Sequence, residues 1–129
     1  MVTFKGPEVL VNLSSIELFE TLSDLRNLKK IMPSEIKNFQ ADKNSCMISM
    51  DNMPSINMEI TEKIPCEKIS LSSKDSPINF CLICNIKEKD DKCQAKLEVN
   101  SDVNMMMKMM IEKPIYNFLN ILSDQLQKL

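Results

Sequence analysis

The segment Asn104–Leu129, NMMMKMMIEKPIYNFLNILSDQLQKL, decides how the rest of the chain is read. Ile111, Ile115, Phe118, Leu122, Leu126 and Leu129 recur every three or four residues, which sets them along one face of a helix. Lys108, Glu112, Asn120 and Asp124 fall off that line. Asn104 suits the N-cap, because its side chain accepts from a free amide of the first turn. Pro114 removes a backbone donor, so a kink or a restart of the helix is expected there. A stripe this long needs a broad apolar surface to lie on.

Residues upstream supply it. From Ile36 to Asn100 the period of hydrophobicity is two: Ile56, Met58 and Ile60 alternate with Asn57, Glu59 and Thr61. Ile69 and Leu71 follow the same rule, as do Phe80, Leu82, Cys84 and Ile86, then Ala95, Leu97 and Val99. Half-buried antiparallel strands have this pattern. Lys43-Asn44, Asp51-Asn52, Lys74-Asp75 and Asp90-Asp91 separate the runs and read as tight turns, since Asn and Asp tolerate left-handed backbone best after Gly. The spacing predicts a six-strand meander.

At the other end, Val2 to Asn12 reads as a strand bulged or bent at Gly6-Pro7. Ser14 and Glu17 have capping-box spacing and open a helix whose apolar stripe is Ile16, Phe19 and Leu22. Asp24 marks a break, a second short helix carries Leu25, Leu28, Ile31 and Met32, and Pro33 stops it. Residues 1–129 thus read as one α+β domain: a strand, two short helices, six strands and a long helix, with a curved antiparallel sheet wrapped around that helix.

Two stretches also look familiar. VLVNLSSIELFETLSDLRNLKKIMP (Val9 to Pro33) and NMMMKMMIEKPIYNFLNIL (Asn104 to Leu122) resemble small bacterial members of the SRPBCC, or START-like, superfamily, which includes the birch-pollen-allergen family, polyketide cyclases and lipid-transfer domains. The resemblance implies the helix-grip fold, with a cavity for hydrophobic molecules between sheet and long helix. At this length the cavity is expected to be small or filled by side chains. The enzymes of the superfamily carry polar groups in that cavity, and no matching set stands in this sequence.

Composition narrows the chemistry further. The chain has 129 residues, 43% hydrophobic and 26% charged, with a net charge of −2. That is ordinary for a globular protein able to bury one core, and it gives no basic footprint for nucleic acid. No stretch is apolar enough to span a bilayer, and the N-terminus lacks the pattern of a signal peptide, so a cytoplasmic location with reduced thiols is expected. There is no His, which removes the commonest general base and metal ligand, and with one Gly no phosphate-cradling loop can be built. No metal, cofactor or catalytic set is expected.

The remaining candidates are few. Cys81 and Cys84 have the spacing of a zinc or redox pair, but on a strand such positions face opposite ways and cannot share an ion. Glu59, Glu62, Glu98 and Asp102 fall on polar faces or in turns, and Lys108 with Glu112 reads as an exposed helix pair. Met105, Met106, Met107, Met109 and Met110 could line an adaptable pocket, yet five Met in six positions cannot all point inward. The expected cavity walls are Leu22, Leu25, Met32, Phe39, Met58 and Ile60, together with Phe80, Leu82, Leu97, Met106, Met110 and Phe118. Tyr116 is the one phenol that could reach a ligand carbonyl. A non-catalytic binding module for a small hydrophobic or amphipathic ligand fits these residues best. A cyclase- or isomerase-like enzyme and a protein-interaction domain, including a homodimer through an exposed Met/Leu patch, stay open.

Overall fold

The computed structural model describes residues 2–32, 34, 36–50, 55–75 and 79–129. The chain runs β1 (Val2–Val11), α1 (Ser15–Leu22), a 3₁₀ helix (Leu25–Ile31), β2 (Ile36–Ala41), β3 (Ser45–Met50), β4 (Ile56–Ile64), β5 (Lys68–Ser73), β6 (Phe80–Lys89), β7 (Lys92–Ser101) and α2 (Met105–Leu126). Strands β2 to β7 form the expected meander, and β1 adds beside β7, giving one antiparallel sheet ordered β1-β7-β6-β5-β4-β3-β2. The sheet curls around α2.

Bulges shape that curl. In β1, Lys5 pairs with Glu98 but Glu8 pairs with Lys96, so one extra residue is inserted at Gly6-Pro7. A one-residue insertion flips the side-chain parity. Phe4 and Gly6 before it, and Val9 and Val11 after it, therefore all face the core. A second bulge lies between Ile60 and Glu62 in β4. Asp75 and Asp90 adopt left-handed backbone (φ 52° and 57°) at the expected turns, and Cys66 does so too (φ 63°) without a turn-type side chain to announce it. The Asp51-Asn52 turn and the Pro33 stop lie outside the described residues.

Local rules set the helix boundaries. Ser14 Oγ accepts from the Glu17 amide at 3.2 Å, and Glu17 Oε1 accepts from the Ser14 amide at 3.1 Å, which completes the capping box. Asp24 caps the 3₁₀ helix by accepting from the Arg26 amide. The Arg26 guanidinium also donates to the Asp24 carboxylate at 2.9 and 2.6 Å, which holds its pKa down at about 2. Asn104 accepts from the Met107 amide and starts α2, which continues across Pro114 as one helix.

Two expected stripes need correction. Ile16 is 53% exposed, and α1 instead buries Ser15, Leu18 and Leu22. Successive steps of three residues drift round a helix by about 60° each, so Ile16, Phe19 and Leu22 cannot all face one neighbour, whereas steps of three and four stay aligned. On α2 the buried face is Ile111, Ile115, Leu119, Leu122, Ser123 and Leu126, broader than the expected line, while Phe118 is half-buried. Lys108 and Glu112 are also half-buried, and no ion pair joins them among the described residues. Leu119 and Ser123 occupy the edge of α2 that meets β1. A Cβ built on Gly6 would stand 3.3 Å from Leu119 Cβ and 3.6 Å from Ser123 Oγ, so helix and strand approach as closely as side chains allow. Ser123 is fully buried there, its hydroxyl without a partner among the described residues.

Candidate ligand cavity

Between the concave face of the sheet and α2 lies an apolar cavity of about 50 Å³. The alternation of the strands supplies most of its wall. Cys46 and Ile48 come from β3, Met58 from β4, Ile69 and Leu71 from β5, Leu82 and Cys84 from β6 and Leu97 from β7. Phe118, Leu122 and Leu126 of α2 close it above. Leu22 of α1, Leu25, Leu28 and Ile31 of the 3₁₀ helix, and Met32 just after it, close the side. A shallow, polar groove of about 500 Å³ at the ends of β2, β3 and β4 includes Gln40, Asp42, Lys74 and Asp75, and shares Cys46 and Met58 with the cavity.

Of the residues expected to line the cavity, Leu22, Leu25, Met32, Met58, Leu82, Leu97 and Phe118 do so. Phe39, Ile60 and Phe80 are half-buried and pack against the core without reaching it. Met106 and Met110 do not line it either: they are 74% and 69% exposed. The phase of α2 is fixed by Ile111 and Ile115, and both methionines lie more than a quarter-turn from that line. Tyr116 does not line the cavity either: its ring packs beside β1, edge-on to Phe4 at 5.5 Å and 78°. The strand parity that located Leu82 and Leu97 also points to Ile69, Leu71 and Cys84.

The cavity lacks charge. No carboxylate, ammonium, guanidinium or phenol lines it, and among the described residues the thiols of Cys46 and Cys84 are its only ionisable groups. Burial pushes the Cys46 thiol up to about 11 and the Cys84 thiol up to about 12. The carboxylates are engaged outside: Glu59 with Lys74 at 3.8 Å, Glu62 with Lys68 at 3.0 Å, and Glu98 accepting from Asn85 at 3.2 Å. Cys81 and Cys84 face opposite sides of β6; Cys84 is buried beneath α2, whereas Cys81 lies 3.8 Å from the Ser72 hydroxyl on the convex face. All five cysteines are free thiols. A thiol reagent at neutral pH is therefore expected to modify the partly exposed Cys66 and Cys81 first, and Cys46, Cys84 and Cys93 only on denaturation. Because the folded chain holds thiol protons that the unfolded chain releases near pH 9.0, the ordinary value of a thiol, stability should be full below that pH. It should fall as pH rises toward about 12, as a series of alkaline melts would record.

No family model matches the sequence, and no curated protein sequence does. Solved structures match in shape. A truncated norcoclaurine synthase from Thalictrum flavum superposes with a TM-score of 0.76 at 11% identity, covering 98% of this chain and 91% of the enzyme. A START superfamily protein from Mycobacterium smegmatis gives 0.68 at 11% identity, covering 98% and 97%. The chain has the START-like, helix-grip fold. The protein XoxI from Bacillus cereus shares it, with a TM-score of 0.69 at 10% identity over 99% and 94% of the two chains. A START-like fold accommodates both ligand-binding modules and enzymes, and at these identities the likeness carries the fold alone. No described helix is long and apolar enough to cross a membrane.

Proposed function

We propose that the chain is a non-catalytic binding module that takes a small apolar or amphipathic molecule between the sheet and α2. The observation that carries this reading is the cavity lining: sixteen residues from three layers of the fold meet there, all apolar or thiol-bearing. Affinity would come from removing apolar surface from water, at about 25 cal/mol per Å² less the cost of ordering. A norcoclaurine synthase of the same fold has been captured with a transition-state analogue, which supports the fold's capacity to hold a small organic molecule.

The volume sets the terms of binding. About 50 Å³ is a third of the roughly 150 Å³ apolar cavity that accepts benzene, so a ligand must displace side chains to enter. Leu28, Met32 and Phe118 are half-buried and form the yielding part of the wall, and the 3₁₀ helix beside them has weaker hydrogen-bond geometry than an α-helix. Since the polar groove shares Cys46 and Met58 with the cavity, an amphipathic guest would rest its polar end near Gln40, Asp42 and Lys74. The enzyme reading has less support, because no group in the lining can donate or accept a proton near neutral pH.

A thermal-shift panel of fatty acids, sterols and aromatic polyketides tests the proposal. A true ligand should raise the melting temperature by about 5 °C at saturation. Phe118→Ala, which enlarges the cavity at its mouth, should then admit benzene- or indole-sized guests that the parent chain refuses. No stabilisation by any class in either protein would remove the reading.

A further inference from the structure

The first two turns of α2 depart from the pattern of a surface helix. Met105, Met106, Met109 and Met110 are 72%, 74%, 74% and 69% exposed. They cover the side of the helix opposite Ile111 and Ile115, so the outward side of these turns is apolar, and Lys108, the charged residue among them, is half-buried. Farther along, the same outer side carries Asn117, Asn120 and Asp124. The apolar patch is therefore bounded, and four methionines this exposed amount to roughly 500 Å², within the range of about 300–600 Å² in which the largest exposed apolar patch of a monomer is often functional.

We propose that this methionine face is a self-association surface, on which a second copy of the chain packs its own Met105–Met110 turns antiparallel about a two-fold axis. Three features favour a second copy. Two such faces would together bury about 1,000 Å², the lower bound of a specific interface, which suits a reversible dimer. The patch is self-complementary: an axis crossing between positions 107 and 108 sets Met105 against Met110 and Met106 against Met109 of the other copy, and flexible thioethers fill such a seam without demanding one shape. The same axis brings Lys113 of each copy toward Asp102 of the other. Both residues are exposed, and neither has an ion-pair partner among the described residues. Charge also argues against a lipid surface, because the rim residues Asp102, Lys108, Glu112 and Lys113 balance and would not draw an anionic headgroup layer.

Light scattering coupled to size exclusion, on the intact chain from about 10 μM to about 1 mM, tests this. The weight-average mass should climb from 14.8 kDa toward twice that value. M106K/M109K replaces two side chains that are three-quarters exposed, so it should keep the parent's melting curve and remain at 14.8 kDa throughout. D102K and K113D should each weaken dimerisation about fivefold, and the double variant D102K/K113D should restore it. A parent chain monomeric at every concentration, or a dimer indifferent to M106K/M109K, overturns the proposal. Failure of the double charge swap to recover affinity overturns the antiparallel arrangement. A monomeric chain that floats with neutral or anionic phospholipid vesicles through the same methionines would assign the face to a lipid surface instead.

Discussion

Replacing Gly6 with valine is expected to cost about 3 kcal/mol of folding stability, a large part of the roughly 5–15 kcal/mol available to a domain of this kind. The reason is contact rather than backbone conformation. The first added carbon would stand 3.0 Å from the Leu97 carbonyl oxygen, a backbone atom on the neighbouring strand, and 3.3 Å from Leu119 Cβ. Neither can swing aside as the tip of a long side chain could. Two further methyl groups would force α2 away from β1 and open the packing of Leu119 and Ser123, both fully buried. Alanine adds only the first carbon and lowers the freedom of the unfolded chain, so Gly6→Ala should lose about 1 kcal/mol. Urea unfolding followed by circular dichroism measures both. A valine variant as stable as its parent would mean that α2 does not approach β1 at this point.

The second large effect is expected at Phe4, which is 1% exposed where β1 passes under the same helix. Phe4→Ala should cost about 3–5 kcal/mol, through the lost transfer of a phenyl ring and the void left behind. Its edge-to-face contact with Tyr116 is lost as well. Phe4→Leu keeps most of the volume and should cost less than about 1.5 kcal/mol. The ratio of the two losses in the same urea titration reports whether the site is tightly packed: near-equal values would mean that the ring occupies slack space.

How far the chain could be read before its structure was known depends on what each residue had to satisfy. Strand faces were legible because alternation is a local rule; Leu82, Cys84 and Ile86 lie inward as their spacing requires. The caps Ser14 and Asn104 were legible for the same reason, since each acts within three residues of itself, whereas Asp24 was legible as a break and not as a cap. The Gly6-Pro7 bulge announced itself through residue type. What escaped was rotation. Whether α1 turns Ile16 or Leu18 inward, and whether α2 turns Met106 or Ile111 inward, is fixed by neighbours distant in sequence. The cavity inherited that ambiguity in part: Leu22, Leu25 and Phe118 reach it from the helices while Met106 and Met110 turn away. On the strands Met58, Leu82 and Leu97 reach it while Phe39, Ile60 and Phe80 stop short, because alternation gives the face of a strand and not the position of the void along it. The small volume of the cavity was expected from the length of the chain, while the side chains that leave it are set by packing, which no single residue carries.

The pairing of β1 with β7 has a consequence for how the molecule assembles. Phe4 lies opposite Val99, and Val2 opposite Ser101, so β1 finds its neighbour only after the five other strands of the sheet, β2 to β6, and β7 itself have been made. Order of synthesis and order of assembly are thus opposed. Closing so long a loop is entropically costly, and topologies dominated by such non-local pairings fold slowly for their size. Until β7 and α2 emerge, Phe4, Val9 and Val11 have nothing to shelter them, and the nascent β1 is the stretch with most to gain from a chaperone.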